Sequence, residues 1–253
     1  MPQNWMLLAG ALLLAPAAAG PASASDDWSR FGLEVEGGPV WATRNDVKIP
    51  PATGTRFSLL DLTGEGPESY FRAYASVNFN HRHGIRFLAA PLDIRGSKPL
   101  NQPVSFAGAT LAAGTNTEGV FKFNTCRVTY RYTFHEGDRW KLQIGGAGLI
   151  RDAKIELRQA ALTARDTDLG LVPLAYFSAR YRLSDRTSVL FDFEGLGSKQ
   201  GRALDGILKV NYDLGNGVTL GAGYRALEGG ADVKRVYTFA WLHYAAVSLG
   251  YRF

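Results

Sequence analysis

The sequence has a single cysteine, Cys126, and only two methionines among its 253 residues. One cysteine cannot close an intrachain disulfide, which excludes the small exported folds that disulfides hold together. Charged residues make up only 20% of the chain, yet after residue 24 no window of about 18 residues lacks polar groups, which excludes a transmembrane helix there. No segment shows a convincing 3.6-residue apolar repeat, so helices are not expected to build the fold.

The first 24 residues carry no charged side chain and contain an apolar run from Met6 to Leu14. Small residues follow this run and end in Ala22, Ser23 and Ala24. This order predicts a secretory signal peptide, residues 1–24, that is cleaved after Ala24; a buried N-terminal helix is the alternative. Residues 25–253 are predicted to form one domain.

What the chain does contain is a two-residue periodicity, with 29 glycines and 12% aromatic residues. Near the C-terminus, Trp241, Val247, Leu249 and Tyr251 alternate with small or polar residues such as Ser248. Alternation of this kind, interrupted at regular intervals by turn residues, predicts an all-β fold.

Ten strands are predicted, with eight as the alternative count. Their expected ranges are 29–42, 68–80, 84–94, 119–134, 139–158, 168–184, 186–196, 202–214, 217–228 and 235–253. The connections are predicted to alternate between tight turns and longer loops, as in barrels of the outer membrane, with the longest at 43–67 and 95–118 and intermediate ones at 159–167, 197–201 and 229–234. Segment 95–118 is expected to be a mobile loop; folding over the mouth or lying on lipid is the alternative.

Two architectures fit this pattern, because periodicity alone does not say which face of a strand points outwards. A soluble sandwich would place its apolar face inside, whereas a closed antiparallel up-and-down transmembrane β-barrel would place it against lipid. Aromatic residues near the strand ends favour the barrel, since they would form interfacial girdles. The predicted girdle and C-terminal signal consist of Trp41, Tyr132, Trp140, Tyr237, Trp241, Tyr251 and Phe253.

The opposite face carries charges of both signs, which suits a polar barrel lumen. The predicted lumen-lining residues are Glu34, Arg72, Arg86, Arg127, Arg131, Asp152, Lys154, Glu156, Arg180, Arg182, Asp192, Glu194, Asp205, Lys209 and Arg225. Basic residues are in excess on this face, so an open lumen would weakly prefer anions. Long side chains are expected to fill much of a ten-stranded interior. An even number of strands places both termini in the periplasm and the long loops outside the cell.

The C-terminal residues Tyr251, Arg252 and Phe253 resemble the signal by which bacterial outer-membrane barrels are inserted. Residues 45–61 and 225–253 resemble an uncharacterised group of small Gram-negative outer-membrane barrels. This resemblance implies a location in the outer membrane and contact with outer-membrane lipid and lipopolysaccharide. It also implies recognition of the last strand by the barrel-insertion machinery, and it implies no activity.

Few residues in the sequence are spaced as catalytic or metal-binding groups would be. His81 and His83 would point to opposite faces of a strand, which is a poor metal site. His243 is predicted to face lipid, where lipid A deacylases of the small-barrel kind use a His-x-Ser pair, but Tyr244 and Ala245 follow it. The sequence therefore predicts no catalytic residue, no metal site and no cofactor, and the chain is not expected to be an enzyme. Basic residues are scattered, so nucleic acid is not an expected partner.

Two function classes remain. The first is a structural or narrow-channel barrel, porin-like, passing small solutes with a weak preference for anions. The second is a loop-based adhesin or a lipid-active outer-membrane enzyme.

Overall fold

The computed structural model describes residues 29–253, so the predicted signal peptide lies outside the described residues. The strands are β1 Phe31–Lys48, β2 Phe57–Ser58, β3 Glu68–Asn78, β4 His83–Ala90, β5 Asp93–Pro99, β6 Val104–Phe106, β7 Ala109–Leu111, β8 Asn116–Glu136, β9 Trp140–Gln159, β10 Leu162–Arg182, β11 Thr187–Ser198, β12 Gly201–Gly215, β13 Val218–Asp232 and β14 Tyr237–Arg252. One short helix, α1 Leu60–Thr63, lies between β2 and β3. In residues 29–253 no helix is both long enough and apolar enough to cross a membrane.

The sheet closes on itself as an antiparallel barrel. Each long strand pairs with its neighbour in the sequence, and β1 pairs with β14 from Gly32 opposite Arg252 to Lys48 opposite Tyr237. Strands β4 and β5 both pair with β8 and share one place in the ring, so the barrel has ten places. The prediction of a ten-stranded, closed, all-β barrel is confirmed.

The two ends of the barrel differ. The tight connections at 79–82, 137–139, 183–186 and 216–217 lie at one end, which we call the turn end. Asn216 and Gly217 have φ angles of 53° and 80°, as a two-residue type I′ hairpin requires. The other end, the loop end, carries the long connections 49–67 and 100–115.

The strands run further towards the loop end than the sequence predicts. The connections expected to be intermediate shrink to 160–161, 199–200 and 233–236, and β1 continues to Lys48. Polar residues such as Asp46 and Arg165 lie within these extensions, and cross-strand contacts such as the hydrogen bond from Arg44 to the Tyr237 hydroxyl stabilise them. Their polarity explains why the periodicity misses these parts of the strands.

The outward face of the barrel is apolar across its middle. Val35, Val128, Ile150, Leu208 and Val247 are each between 45% and 63% exposed. The predicted girdle residues point outwards at the two rims: Tyr132, Trp140, Tyr251 and Phe253 near the turn end, and Trp41, Tyr237 and Trp241 near the loop end. This placement settles the direction of the two faces in favour of a membrane-spanning barrel.

Candidate functional site

The middle of the lumen holds a network of ion pairs centred on Asp205. Its carboxylate accepts hydrogen bonds from Arg72 Nη2 at 2.7 Å and from Arg127 Nη2 at 2.6 Å, and it also pairs with Arg225 Nη1. All four residues are buried. One carboxylate does not balance three buried guanidiniums, so this arrangement requires further carboxylates nearby.

Further pairs extend this network around the lumen. Arg225 donates to both oxygens of Glu36 at 2.9 Å, and Arg86 forms a bidentate pair with Asp192 at 2.9 and 3.0 Å. We define the lumen network as the five cations Arg72, Arg86, Arg127, Lys209 and Arg225 with the five carboxylates Glu34, Glu36, Asp192, Glu194 and Asp205. Its formal charge is zero. The excess of positive charge expected from the sequence is therefore not a property of this central layer.

The lumen network crosses the barrel from wall to wall. Arg72 on β3 and Asp205 on β12 are four places apart in the ring of ten, and Arg86 on β4 and Asp192 on β11 are separated equally. Strands directly opposite each other would be five places apart. Side chains joined at these distances fill the cross-section of the lumen.

A cavity of about 730 Å³ lies between the lumen network and the turn end. Arg131, Arg180 and Arg182, all predicted to line the lumen, are part of its wall. Arg131 Nη2 donates to Asn78 Oδ1 at 3.1 Å. Arg86, Asp192 and Arg225 also line this cavity, whereas the apolar side chains of the loop end do not. The cavity thus meets the lumen network at its inner end.

The loop end is closed by an apolar cap, which we define as α1 with its flanking residues and the β6–β7 hairpin. Leu59, Leu62, Phe106 and Leu111 are at most 1% exposed and pack with the inward side chain of Leu157. The expectation that segment 95–118 is a mobile loop is thus wrong. Its middle folds into the mouth because burying these side chains is worth about 1.5 to 3 kcal/mol each.

Two glycines let the cap approach the barrel wall. A Cβ atom at Gly96 would lie 2.4 Å from the carbonyl oxygen of Leu62, and one at Gly119 would lie 2.9 Å from Leu62 Cβ. Gly96 and Gly119 are paired across β5 and β8, so they form a flat area on the inner wall. The helix α1 rests on this area.

Most of the predicted lumen residues do face inwards, but three do not. Asp152, Lys154 and Glu156 alternate with the inward Ile155 and Leu157 and share the outward face of Ile150. They belong to the polar part of β9 near the loop end, where Lys122 pairs with Asp152 at 2.6 Å. The structure corrects their placement from the lumen to the outer wall. The sequence pattern misleads there because inside and outside exchange polarity beyond the apolar band.

The outer wall near the loop end carries a group of three polar side chains. His243 Nε2 lies 2.9 Å from Thr43 Oγ1, and His243 Nδ1 is hydrogen bonded to the Tyr224 hydroxyl. Thr43 and Tyr224 are exposed, and His243 is half-buried between the rings of Trp241 and Tyr224. We call these three residues the hydroxyl–imidazole site.

A β-bulge places Thr43 in this site. The register between β1 and β14 shifts between Ala42 and Arg44, so that Trp41 is opposite His243 and Arg44 is opposite Trp241. Before the bulge Val40 and Ala42 point inwards; after it Asn45 and Val47 do. Bulges re-aim side chains in this way and are frequent beside functional sites. The chain thereby places a hydroxyl beside the imidazole across the strand pair.

Guanidinium groups lie on the loop-end side of the hydroxyl–imidazole site. Arg44 and Arg202 stack on the Phe239 ring, with their Cζ atoms 5.2 and 5.1 Å from its centre. Arg56 lies 4.8 Å from the centre of the Tyr237 ring. Its hydrogen bond to Asp46 raises the pKa of Arg56 above its ordinary value, which keeps it cationic.

His243 could be identified from the sequence, but Thr43 could not. The two residues are 200 positions apart in the chain, so no motif spacing connects them. The closure of the barrel brings β1 and β14 together, and the bulge then selects the hydroxyl. A bulge has no reliable signal in the sequence, whereas the strand pairing that closes the barrel was foreseeable.

The closed ring, the outward apolar band and the two aromatic rims define the class of this chain: it is a β-barrel of the outer-membrane type. No protein-family model matches the sequence, and no curated protein matches it. Solved structures do match. The outer membrane protease OmpT from Escherichia coli is 6% identical, with 91% of this chain and 100% of that chain covered and a TM-score of 0.55.

Two other structures are similar over most of their length. The transport unit of the autotransporter AIDA-I from Escherichia coli is 7% identical over 92% of this chain and 93% of its own, with a TM-score of 0.49. The attachment invasion locus protein Ail of Yersinia pestis is 10% identical over 88% of this chain and 99% of its own, with a TM-score of 0.40. At such identities the likeness concerns the fold.

Proposed function

We propose that this protein is a structural, non-conducting barrel of the outer membrane whose filled lumen carries a fixed cap. The observation that supports this best is the lumen network, in which Arg72 reaches Asp205 across the ring at 2.7 Å. A solute passing through the lumen would have to separate pairs of this kind. Breaking a buried pair leaves an uncompensated charge and costs about 3 to 5 kcal/mol.

The cap supports the same proposal at the loop end. Phe106, Leu59 and Leu111 are fully buried, so the mouth is filled by side chains. Ions would have to pass an apolar layer as well as the lumen network, which is unfavourable by several kcal/mol per charge. Of the two sequence-based alternatives, a structural barrel thus has more support than a narrow channel.

The orientation and partners belong to this proposal. Both described ends of the chain lie at the turn end, where the backbone of Phe31 and that of Phe253 bond to each other at 3.0 Å. Short turns face the periplasm in barrels of this class, so we place the turn end in the periplasm and the cap outside the cell. The outward apolar band contacts outer-membrane lipid and lipopolysaccharide, and β14 is the strand that the insertion machinery recognises.

The test is conductance of the refolded chain in a planar bilayer. Because the lumen is filled at two levels, the expected result is a silent bilayer, with co-flotation of the protein and lipid vesicles showing that it has inserted. Reproducible single-channel steps from the inserted protein would show that the lumen opens, and the proposal would then be wrong.

Deletion of the β6–β7 part of the cap tests the two barriers separately. Pro99 and Asn116 are directly opposite each other on β5 and β8, so residues 100–115 can be replaced by Asn-Gly, which suits a two-residue hairpin. We expect this variant to stay silent, because the lumen network is built from the strands alone. Steps that appear only after the deletion would assign the closure to the β6–β7 part of the cap.

A further inference from the structure

We propose that the hydroxyl–imidazole site cleaves acyl esters of phosphorylated lipids, with Thr43 as nucleophile and His243 as general base. This activity goes beyond the structural role proposed above. It also departs from the expectation that the chain is not an enzyme, which for a lipid-active enzyme rested on the absence of a serine hydroxyl two residues after His243. The structure supplies that hydroxyl from β1, 2.9 Å from the imidazole Nε2.

The geometry is that of an activated nucleophile. A hydroxyl and a base within about 2.6 to 3.2 Å, with the base held by a third group, form the arrangement common to enzymes that use covalent acyl intermediates. Here the third group is Tyr224, whose hydroxyl bonds to Nδ1. When Nδ1–H donates to Tyr224, the lone pair of Nε2 is free to accept the hydroxyl proton of Thr43. Tyr224 is therefore a positioning residue.

The location of an ionisable group on the lipid face supports a functional role. Polar side chains facing hydrocarbon are unfavourable, and those that persist mark functional sites by default. A purely structural explanation is that the three residues satisfy one another's polar atoms. That explanation accounts for their hydrogen bonds but predicts no chemistry, so activity measurements separate the two.

The depth of the site fits an ester. His243 lies two residues below the rim residue Trp241 on β14, which is about 5 Å towards the membrane centre for a tilted strand. Aromatic rims lie at the headgroup level, and acyl ester groups lie just beneath it. The outward neighbour of His243 on β13 is Ala226, and beside that on β12 is Gly206. These small residues leave room beside the imidazole for an acyl chain.

The guanidiniums explain why the lipid should carry phosphate. Arg44 and Arg202 lie on either side of Phe239, four residues from His243 towards the loop end, and Arg56 is nearby on Tyr237. This level corresponds to the headgroups. Arg44 and Arg202 also pair with Asp46 and Glu228, so phosphate would be bound by the N–H groups that these carboxylates leave available. Phosphorylated glucosamine lipids and glycerophospholipids share this chemistry.

The reaction has two balanced steps. Thr43 Oγ1 attacks the ester carbonyl carbon while its proton moves to His243 Nε2, and the ester C–O bond breaks as His243 returns that proton to the leaving alkoxide oxygen. Water then attacks the acyl–Thr43 ester, losing its proton to His243. The proton passes to Thr43 Oγ1 as the acyl–oxygen bond breaks, which releases the fatty acid and restores the site.

The experiment uses the refolded chain in two kinds of vesicle, one containing lipopolysaccharide and one containing only glycerophospholipid. Fatty acid release is measured by mass spectrometry, together with an acyl adduct on the peptide that contains Thr43. Release from either vesicle supports the proposal and identifies the lipid. Absence of release from both would overturn it.

Variants test the roles. Thr43→Val and His243→Gln should each lower release by about 100-fold or more, since a general base contributes about 10² to 10⁴. Thr43→Ser should retain release and the adduct, whereas Thr167→Val, an exposed threonine on β10, should leave it unchanged. Tyr224→Phe should shift the pH profile of release. Arg44→Gln with Arg202→Gln should raise KM and leave kcat near its original value.

Circular dichroism and protease resistance show whether each variant has folded. A folded Thr43→Val variant that releases fatty acid at the original rate would also overturn the proposal.

Discussion

The middle of the lumen and its loop end are both filled by side chains, but these side chains differ in polarity. The middle is filled by the lumen network, in which charged side chains of the strands meet across the barrel. The loop end is filled by the cap, in which apolar side chains of connecting segments meet one another and the inner wall. One region depends on charge balance, and the other depends on removal of apolar surface from water.

The two regions differ in polarity because the side chains in the middle belong to strands, whereas those of the cap belong to connecting segments. Strand register fixes the inward residues in height and direction, so a long guanidinium on one wall can reach a carboxylate on the far wall. Arg72 and Asp205 are 133 residues apart in the chain and still meet at 2.7 Å. Most of segments 49–67 and 100–115 is not paired with the ring of strands. Apolar burial, which has no strict direction, holds them together with a few hydrogen bonds, such as that from the Thr55 amide to the Ser105 carbonyl oxygen at 2.8 Å.

Asp205→Asn should have the largest effect on the stability of the barrel. The substitution keeps the shape but removes the charge on which three buried guanidiniums depend, so the network would hold five cations and four carboxylates. We expect the free energy of unfolding to fall by about 3 to 5 kcal/mol, as for other buried pairs that lose one partner. Urea unfolding of the refolded barrel in detergent measures this.

A fall of less than about 1 kcal/mol would mean that Arg72, Arg127 and Arg225 are solvated in the lumen. The lumen network would then not behave as a closed layer, and the contrast with the cap would be lost.

The sequence could predict the middle of the barrel far better than its loop end. Alternation assigned Arg72, Arg127, Asp205 and Arg225 to the inward face, because between the two rims an apolar outside forces a polar inside. Above the loop-end rim that rule fails, and Lys154 was assigned to the wrong face. The alternation of apolar outward and polar inward residues results from contact with lipid, so it applies only to the part of each strand that lies within the membrane.

The partners within each region were harder to predict than the faces. Which guanidinium reaches Asp205 depends on barrel diameter and register, and the pairing of Thr43 with His243 depends on one bulge. Folding over the mouth was only the alternative for segment 95–118, because its apolar residues, such as Phe106 and Leu111, are separated by turn residues and show no periodicity. Tertiary burial, rather than local pattern, decides the conformation of such segments.

Gly96→Val should disturb the cap and spare the lumen network. The new side chain would meet Leu62 and Thr63, within 2.5 Å of its Cβ, so α1 must move away from the wall. Overpacking of this kind typically costs about 1 to 3 kcal/mol. Hydrogen exchange in segments 59–63 and 104–111 should accelerate, while the strands that carry the lumen network keep their protection.

Gly148→Val is the matched control, because a Cβ there meets nothing closer than 3.8 Å. If Gly96→Val accelerated exchange in all strands alike, the cap and the lumen network would form one cooperative unit.

Asp213→Asn should have the smallest effect on the free energy of unfolding. It tests whether an exposed ion pair contributes less to stability than the buried pairs of Asp205. Asp213 pairs with Arg252 at 2.8 Å near the turn end, where both side chains are about one-third exposed. Asparagine keeps the Oδ1 that accepts from the amide of Gly215, so the adjacent turn is preserved. Because water solvates both partners, the loss should be below about 1 kcal/mol and should shrink further at high salt. A loss as large as that of Asp205→Asn, measured by the same urea unfolding, would mean that pairing itself, and not burial, stabilises the polar groups of this lumen.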